Sequence, residues 1–231
     1  MAFDPSKYTV AKARPLPVIL LLDRSGSMSG EKISTLNAAV NEMIQSFKSA
    51  GQGEVEINLA VISFGNGGAT YDLPLQSVKD ISGIALQASG GTPMGMALRM
   101  AKDLIEDKET IPSKGYRPAV VLVSDGAPND DWEHPMDDFI GSGRSAKCER
   151  FAMAIGTSQE DRVLNRFLSG TENKVFLASD AGKIRDFFKF VTMSVSVRSR
   201  SQNPNALLPA ASGTPSLSAV VDMAKEFGID L

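Results

Sequence analysis

Long apolar segments alternate with amphipathic helical patterns along this 231-residue chain, and no other feature constrains its fold as strongly. Residues 17–23, PVILLLD, form an apolar run closed by an aspartate, as expected for a parallel strand buried on both faces. Residues 32–50 follow with apolar side chains at spacings of three and four, which is typical of an amphipathic helix. This alternation predicts an α/β fold.

The same pattern continues along most of the chain. We predict further strands at 54–64, 70–75 (a short edge strand), 117–125, 148–156 and 174–177, and further helices from residue 92, at 161–168 and at 181–197. Thr92 is predicted to cap its helix with Pro93 in the first helical position, and residues 132–141 to be irregular or a short helix.

The composition changes at Arg198, where a stretch rich in Ser, Pro, Asn and Ala begins. Such a stretch is typical of a linker or an extended tail. We therefore divide the chain into an N-terminal extension (1–14), one α/β domain (15–197) and a C-terminal tail (198–231) with a short amphipathic helix at 218–227.

Charge and cysteine content narrow the class of protein. The 24 Lys and Arg residues against 27 Asp and Glu give a net charge of −3, whereas nucleic-acid binders usually carry a basic balance. A single cysteine cannot form an internal disulfide, which indicates a reducing compartment. No segment resembles a signal peptide or approaches the ~20 apolar residues of a transmembrane helix. We expect a cytoplasmic protein with neither a nucleic-acid nor a membrane partner.

Oxygen-bearing side chains collect where the predicted strands end. Asp23 and Asp125 close two of the long strands, Ser25 and Ser27 follow Asp23, and Thr92 lies in a Gly-rich loop. Because ligands of open parallel sheets bind at the carboxyl edge, we expect these side chains to share one rim. Oxygen donors suit a hard cation such as Mg²⁺. Two carboxylates would neutralise a divalent charge, and the hydroxyls would add none, so an external carboxylate could still bind.

The pattern D-x-S-x-S, then a Thr, then an Asp, resembles the metal-ion-dependent adhesion site of the von Willebrand factor A family over roughly residues 15–195. The resemblance implies that Ser25, Ser27 and Thr92 coordinate Mg²⁺, with Mn²⁺ or Ca²⁺ as alternatives. It implies that Asp23 and Asp125 act directly or through water. It also implies a doubly wound, Rossmann-like sheet that is mainly parallel, with one antiparallel edge strand and helices on both faces.

Within that family, the segments LLLDRSGSMSGEKI, SGGTPMGMAL and VLVSDGAPND are most similar to bacterial TerY-type proteins of tellurium-resistance clusters. That similarity implies a role in chemical-stress responses, with partners such as a kinase or phosphatase of the same system. The zinc ribbon that some of those proteins carry is absent from a chain with one cysteine. We expect a non-enzymatic, Mg²⁺-dependent protein-interaction module whose partner supplies an Asp or Glu carboxylate.

Two other functions stay open at this point. One is a Mg²⁺-dependent phosphatase or phosphotransferase with Asp23 as nucleophile, although Asp23-Arg24-Ser25 lacks the second carboxylate of a D-x-D motif. The other is a structural subunit that keeps the motif without using it. Ser27 is a poor candidate nucleophile, because it lacks a G-x-S-x-G context and the lone His134 lies in a separate loop.

Three other features have a functional and an ordinary interpretation. Trp132 either borders the metal face or packs in the interior, and packing is favoured. Cys148 is predicted to be a buried small hydrophobe. Residues 141–147 suggest an anion-binding loop, but without a phosphate-binding pattern they are better explained as a solvated loop.

Overall fold

A six-stranded sheet lies at the centre of the molecule, with strands in the order β3-β2-β1-β4-β5-β6. The computed structural model describes residues 14–50, 55–156 and 162–200. Its strands are β1 (Arg14–Asp23), β2 (Val55–Gly65), β3 (Gly68–Ser77), β4 (Ala119–Ser124), β5 (Glu149–Ile155) and β6 (Phe176–Ala178). Its helices are α1 (Glu31–Ala50), α2 (Met94–Glu106), α3 (Glu133–Gly141), α4 (Arg162–Phe167) and α5 (Ala181–Arg200).

The central strand β1 is buried on both faces, as its unbroken apolar sequence predicts. It pairs in parallel with β2 on one side and β4 on the other. Because successive side chains of a strand point to opposite faces, Leu20 and Leu22 pack with α1 and α5, whereas Ile19 and Leu21 pack with α2, α3 and α4. The predicted α/β architecture with helices on both faces is confirmed.

Strand β3 is the antiparallel edge strand that the family resemblance implies. It pairs with β2 and runs over ten residues, so it is longer than the predicted 70–75. Its side chains are at least partly exposed, because it has a neighbour on one side only. The remaining strand pairs are parallel. Among the described residues, no helix is long and apolar enough to cross a membrane.

Two local predictions are wrong. The helix expected to start at Thr92 begins at Met94, and Pro93 occupies the N-cap position with no side-chain cap of its own. The carboxylate of Asp130 caps this helix from another loop, accepting hydrogen bonds from the amides of Gly95 and Met96 at 3.1 and 3.0 Å. Sequence spacing shows only local caps, so this long-range one was not foreseen. The predicted helix at 218–227 lies outside the described residues.

Two asparagines of α1 hold the extended segment that leads to Thr92. Asn37 and Asn41 are four residues apart and so lie on the same face of the helix. The Asn41 side chain accepts a hydrogen bond from the Ile84 amide at 2.8 Å and donates one to the Ile84 carbonyl at 3.0 Å. Asn37 makes the same pair of bonds with Leu86. The side-chain amides therefore replace a missing strand partner for this segment.

Replacing Asn41 by Ala is expected to destabilise the protein by about 1–3 kcal/mol, because two backbone groups of Ile84 lose their partners. Urea unfolding followed by circular dichroism measures the change. The control is Glu42→Ala, at an exposed position of the same helix. Equal stability of the two variants would contradict the proposed role of Asn41 in holding the extended segment.

A buried ion pair joins the C-terminal part of α5 to the start of β5. This end of β5 lies at the edge of the sheet opposite to the predicted site. Arg198 of α5 donates to Glu149 of β5 at 2.5 Å, and the two side chains are 2% and 8% exposed. The second guanidinium nitrogen donates to the Arg117 carbonyl at 2.6 Å. Burial raises the pKa of Glu149, and the charge of Arg198 opposes that rise.

Candidate metal centre

Asp23 lies at the carboxyl end of β1 and is fully buried. Its Oδ1 accepts a hydrogen bond from the Ser25 amide at 2.8 Å, and its Oδ2 accepts one from the Ser124 hydroxyl at 2.5 Å. Burial raises the pKa of this carboxyl; these hydrogen bonds lower it in part, and the charge of Asp125 adds to the rise. The carboxylate is therefore fixed in position but poorly compensated in charge.

The hydroxyls of Ser25 and Ser27 extend from Asp23 toward solvent. Ser25 is 2% exposed, whereas Ser27 is an exposed residue. Their two Oγ atoms lie 3.0 Å apart, and the Ser27 hydroxyl donates to Oδ1 of Asp125 at 2.7 Å. The structure thus connects four of the five predicted donors in one network that opens at the surface.

Main-chain hydrogen bonds hold the loop of Thr92 against the loop of the serines. The Gly26 amide donates to the Gly90 carbonyl at 2.8 Å, and the Ser89 amide donates to the Arg24 carbonyl at 2.7 Å. Gly90 has φ +72°, and a Cβ there would lie 2.7 Å from the Asn66 backbone, so glycine permits this close approach.

Asn129 lies in the loop after β4 and joins this loop to the Gly-rich loop of Thr92. Its side-chain oxygen accepts from the Thr92 amide at 2.9 Å, and its backbone amide donates to the Thr92 carbonyl at 3.1 Å. The Thr92 residue is 8% exposed, and its hydroxyl has no hydrogen-bond partner within the described chain. The fifth predicted donor is therefore positioned by its backbone and keeps an available oxygen.

The donor set fits a small hard cation. Adjacent oxygens around an octahedral Mg²⁺ lie about 2.8–3.0 Å apart, since the metal–oxygen distance is about 2.0–2.1 Å. The Ser25 and Ser27 oxygens show this separation. Within the described residues, no three His, Cys, Asp or Glu side chains cluster as a metal site, so any cation here depends on the hydroxyls.

Sequence reasoning missed three residues of the rim. Ser124 precedes Asp125 and orients Asp23, Asn129 fixes Thr92, and Lys32 donates to Oδ2 of Asp125 at 2.5 Å. Lys32 is the second residue of α1, which begins eight residues after Asp23 closes β1. Its position at a helix start beside the D-x-S-x-S loop was the signal that could have identified it.

Other candidate residues do not join the rim. His134 lies in the first turn of α3 rather than in a loop; its side chain is 93% exposed and contacts Asp131 at 3.3 Å. Trp132 packs against the apolar side chains below α2 and α3, with the Arg166 guanidinium 5.8 Å from its ring centre. Trp132 thus fits the favoured interpretation, in which its side chain packs against other apolar side chains.

Cys148 and the loop before it also have structural roles. Cys148 is buried as predicted, and burial raises the pKa of its thiol to about 12. In the loop 141–147, the amides of Arg144 and Ser145 donate to the Glu106 carboxylate at 2.6 and 3.1 Å. The group that this loop binds is therefore the Glu106 carboxylate of helix α2 and not an external anion.

Two known proteins are similar in sequence to about three quarters of this chain. Chicken (Gallus gallus) matrilin-3 is 27% identical over 189 residues, which covers 76% of this chain and 39% of matrilin-3. Bovine (Bos taurus) inter-alpha-trypsin inhibitor heavy chain H4 is 24% identical and is matched over 77% of this chain and 20% of its own length. The chain therefore spans well under half of either relative.

Solved structures agree on the fold. The pilus adhesin SpaC of Lactobacillus rhamnosus GG, in its open conformation, superposes with a TM-score of 0.61 at 16% identity, over 80% of this chain and 30% of that one. A von Willebrand factor type A protein of Catenulispora acidiphila superposes with a TM-score of 0.57 at 20% identity, over 78% and 42%. The von Willebrand factor type A domain model matches residues 18–190. The chain belongs to the von Willebrand factor type A domain family.

Proposed function

We propose that this protein is a non-enzymatic interaction module that binds another protein through a divalent cation, Mg²⁺ in the first instance. Asp23, Ser25, Ser27, Thr92 and Asp125 would hold the cation. The observation that carries the proposal is the network from Asp23 to Asp125, whose two serine oxygens lie 3.0 Å apart at the exposed end. That separation matches neighbouring ligands of Mg²⁺ and also an ordinary hydrogen bond between hydroxyls, so the support comes from the network as a whole.

The residues of the rim would have different roles in binding the cation and the partner. The exposed Ser27 hydroxyl donates its proton to Asp125 and therefore accepts the hydrogen bond from Ser25, which leaves its second lone pair for a cation. Asp23 lies deeper and is held by two hydrogen bonds, so it supplies charge from a fixed position. The bound cation would supply an electrophilic centre for a carboxylate. A partner's Asp or Glu side chain would take an open coordination position, and the surrounding loops would select the partner.

The geometry gives less support to phosphoryl transfer. A nucleophilic Asp23 would have to make contact with the phosphorus atom of a substrate, whereas its carboxylate is fully buried and held by a hydrogen bond to each oxygen. Ser25 stands where a D-x-D enzyme would have its acid or base. Ser27 donates to a carboxylate and not to a histidine. These contacts favour a binding role.

The cellular setting is proposed from sequence similarity to TerY-type proteins. We place the module in the cytoplasm, in a tellurium-resistance or chemical-stress system, with a kinase or phosphatase of that system as the partner. One sulfhydryl, buried at Cys148, agrees with a reducing compartment.

Affinity capture from the native cell, in Mg²⁺ and in EDTA, tests the function directly. We expect a partner to be retained in Mg²⁺, released by EDTA and recovered when Mg²⁺ or Mn²⁺ is restored. The same preparation should hydrolyse an aryl phosphate no faster with Mg²⁺ than without it. Retention of the partner in EDTA, or Mg²⁺-dependent turnover, would refute the proposal.

A further inference from the structure

Lys32 forms an ion pair inside the candidate metal centre. Its Nζ lies 2.5 Å from Oδ2 of Asp125, and the carboxylate side chain is fully buried while the lysine is 36% exposed. The other carboxylate oxygen accepts from Ser27. The ammonium group of Lys32 thus balances the negative charge of Asp125 and lies beside the oxygens proposed to hold a divalent cation.

The path of the lysine side chain is shaped by the fold. Gly156 follows β5 with φ +70°, and its amide donates to the Ala178 carbonyl at 2.8 Å. A Cβ at Gly156 would lie 3.3 Å from Cε and 3.4 Å from Nζ of Lys32, which is closer than most real contacts. Glycine therefore keeps clear the space in which Lys32 reaches Asp125.

No other cation of the described chain forms an ion pair with these two carboxylates. Arg24, next to Asp23 in sequence, turns away: its Nε donates to the Ser63 hydroxyl at 2.8 Å. Asp23 forms no ion pair among the described residues, and the charge of Asp125 helps to raise its pKa. Lys32 therefore compensates the charge of Asp125, whereas Asp23 has no ion-pair partner among the described residues.

We propose that Lys32 is the resident counter-ion of the metal centre, which stabilises Asp125 in the cation-free protein and weakens the binding of divalent cations. This inference rests on the proposed function. A unit positive charge beside Asp125 repels an incoming divalent ion and competes with it for the carboxylate. The lysine therefore sets a threshold cation concentration below which the rim stays in its ion-paired form.

A purely positioning role predicts the opposite effect. If Lys32 served only to aim Asp125 at the cation, removing it would weaken cation binding. Ser27 holds the other oxygen of Asp125 at 2.7 Å, so the carboxylate keeps one anchor without the lysine. The direction of the change in affinity therefore separates the two roles.

The test compares the wild type with Lys32→Met, which removes the charge and keeps much of the length of the side chain. Isothermal titration with Mg²⁺ should show binding tighter by about tenfold or more. In EDTA the variant should melt about 2–4 °C lower, because Asp125 loses its partner, and Mg²⁺ should raise its Tm by more than it raises that of the wild type. Lys32→Arg, which keeps the charge, should resemble the wild type.

Lys48→Met is the matched control, since Lys48 lies on the same helix and forms no ion pair in the described chain. Equal or weaker Mg²⁺ binding by Lys32→Met, with binding by the wild type intact, would overturn the role of Lys32 alone. If Lys32→Arg behaved like Lys32→Met, charge would not be the cause, and the inference would fail. Absence of Mg²⁺ and Mn²⁺ binding by wild type and variant together would overturn the proposed function as well.

Discussion

Replacing Asp23 by Asn is expected to weaken Mg²⁺ binding by roughly a hundredfold or more, and to abolish cation-dependent capture of the partner, while the protein stays folded. The substitution removes one of the two negative charges of the rim without changing the size of the side chain. Since the serine and threonine hydroxyls are neutral, the remaining carboxylate could not compensate a divalent cation. Asp23 thus carries the largest functional effect that we expect from a single residue.

The local hydrogen bonds explain why the Asp23→Asn variant should fold. The oxygen of the introduced side-chain amide can still accept from the Ser25 amide, as Oδ1 of Asp23 does. The introduced NH₂ group can donate to Ser124, whose hydroxyl also lies 3.1 Å from the Gly126 carbonyl and can donate there instead. Both the oxygen and the nitrogen of the introduced side-chain amide therefore keep at least one hydrogen-bond partner in this cluster.

The raised pKa of Asp23 gives the sign of the effect on stability without divalent cations. A folded-state pKa above the unfolded value means that stability falls as the pH rises through the folded pKa. Asn cannot ionise, so Asp23→Asn should escape this loss. In EDTA at neutral pH, the variant should be at least as stable as the wild type.

Titration calorimetry and thermal melts with and without Mg²⁺ measure both effects. The control is Asp72→Asn, at an exposed position of the edge strand β3, which should bind Mg²⁺ like the wild type. Undiminished Mg²⁺ binding by Asp23→Asn would exclude Asp23 as a cation ligand. A large drop in Tm in EDTA would show that the charge of Asp23 is needed by the fold itself.

Replacing Arg198 by Met should cause the largest loss of stability, about 3–5 kcal/mol at neutral pH. Glu149 would be left as a buried carboxylate without its guanidinium partner, at a site where the Glu149 and Arg198 side chains are 8% and 2% exposed. The Arg117 carbonyl would lose a donor as well. Because Arg198 belongs to α5, the end of this helix should loosen first.

The loss should depend on pH in a defined direction. Burial already raises the pKa of Glu149, and removing Arg198 removes the larger of the two charges that oppose the rise, the other being that of Arg117. Near the ordinary value of 4.5 the acid can be neutral and tolerates burial, so the penalty is small. As the pH rises above that value, the unfolded state ionises more readily than the folded state, and the penalty grows.

Urea unfolding between acidic and neutral pH tests this prediction. The double variant Glu149→Met with Arg198→Met should regain most of the stability lost by Arg198→Met, because no buried charge remains at this site. Hydrogen exchange should show lower protection in the last turns of α5 for the single variant. A loss that is the same at all pH values would contradict the assignment to Glu149.

The sequence was sufficient for the sheet and for the proposed donors because both follow from local patterns. An apolar run such as 17–23 is typical of a parallel strand buried on two faces, and Asp23 at its end must then lie at the carboxyl edge. Asp23, Ser25, Ser27 and Asp125 do meet there. Their function as cation ligands stays a prediction.

The contacts that sequence did not reveal are long-range and specific to side chains. Asp130 caps α2 across 35 residues, and Lys32 reaches Asp125 across 93. Both depend on how loops from different strands are packed, which no spacing rule describes. The predicted start of α2 was wrong for the same reason. The sequence shows the local capping residue Thr92, but the first amides of the helix are bound by the distant Asp130 carboxylate.

The loops around the metal centre are joined by peptide groups, and this has a consequence for how such a rim can diverge. The bonds from Gly26 to Gly90 and from Ser89 to Arg24 use only main-chain atoms, so they do not depend on the five donor side chains. Mutations that replace the donor side chains therefore leave the loops in register. A descendant could lose its cation yet inherit the same recess, now available to a partner that needs no metal. The positions of the loops around the metal centre would thus be conserved, while the side chains that bind the ligand could change from one lineage to another.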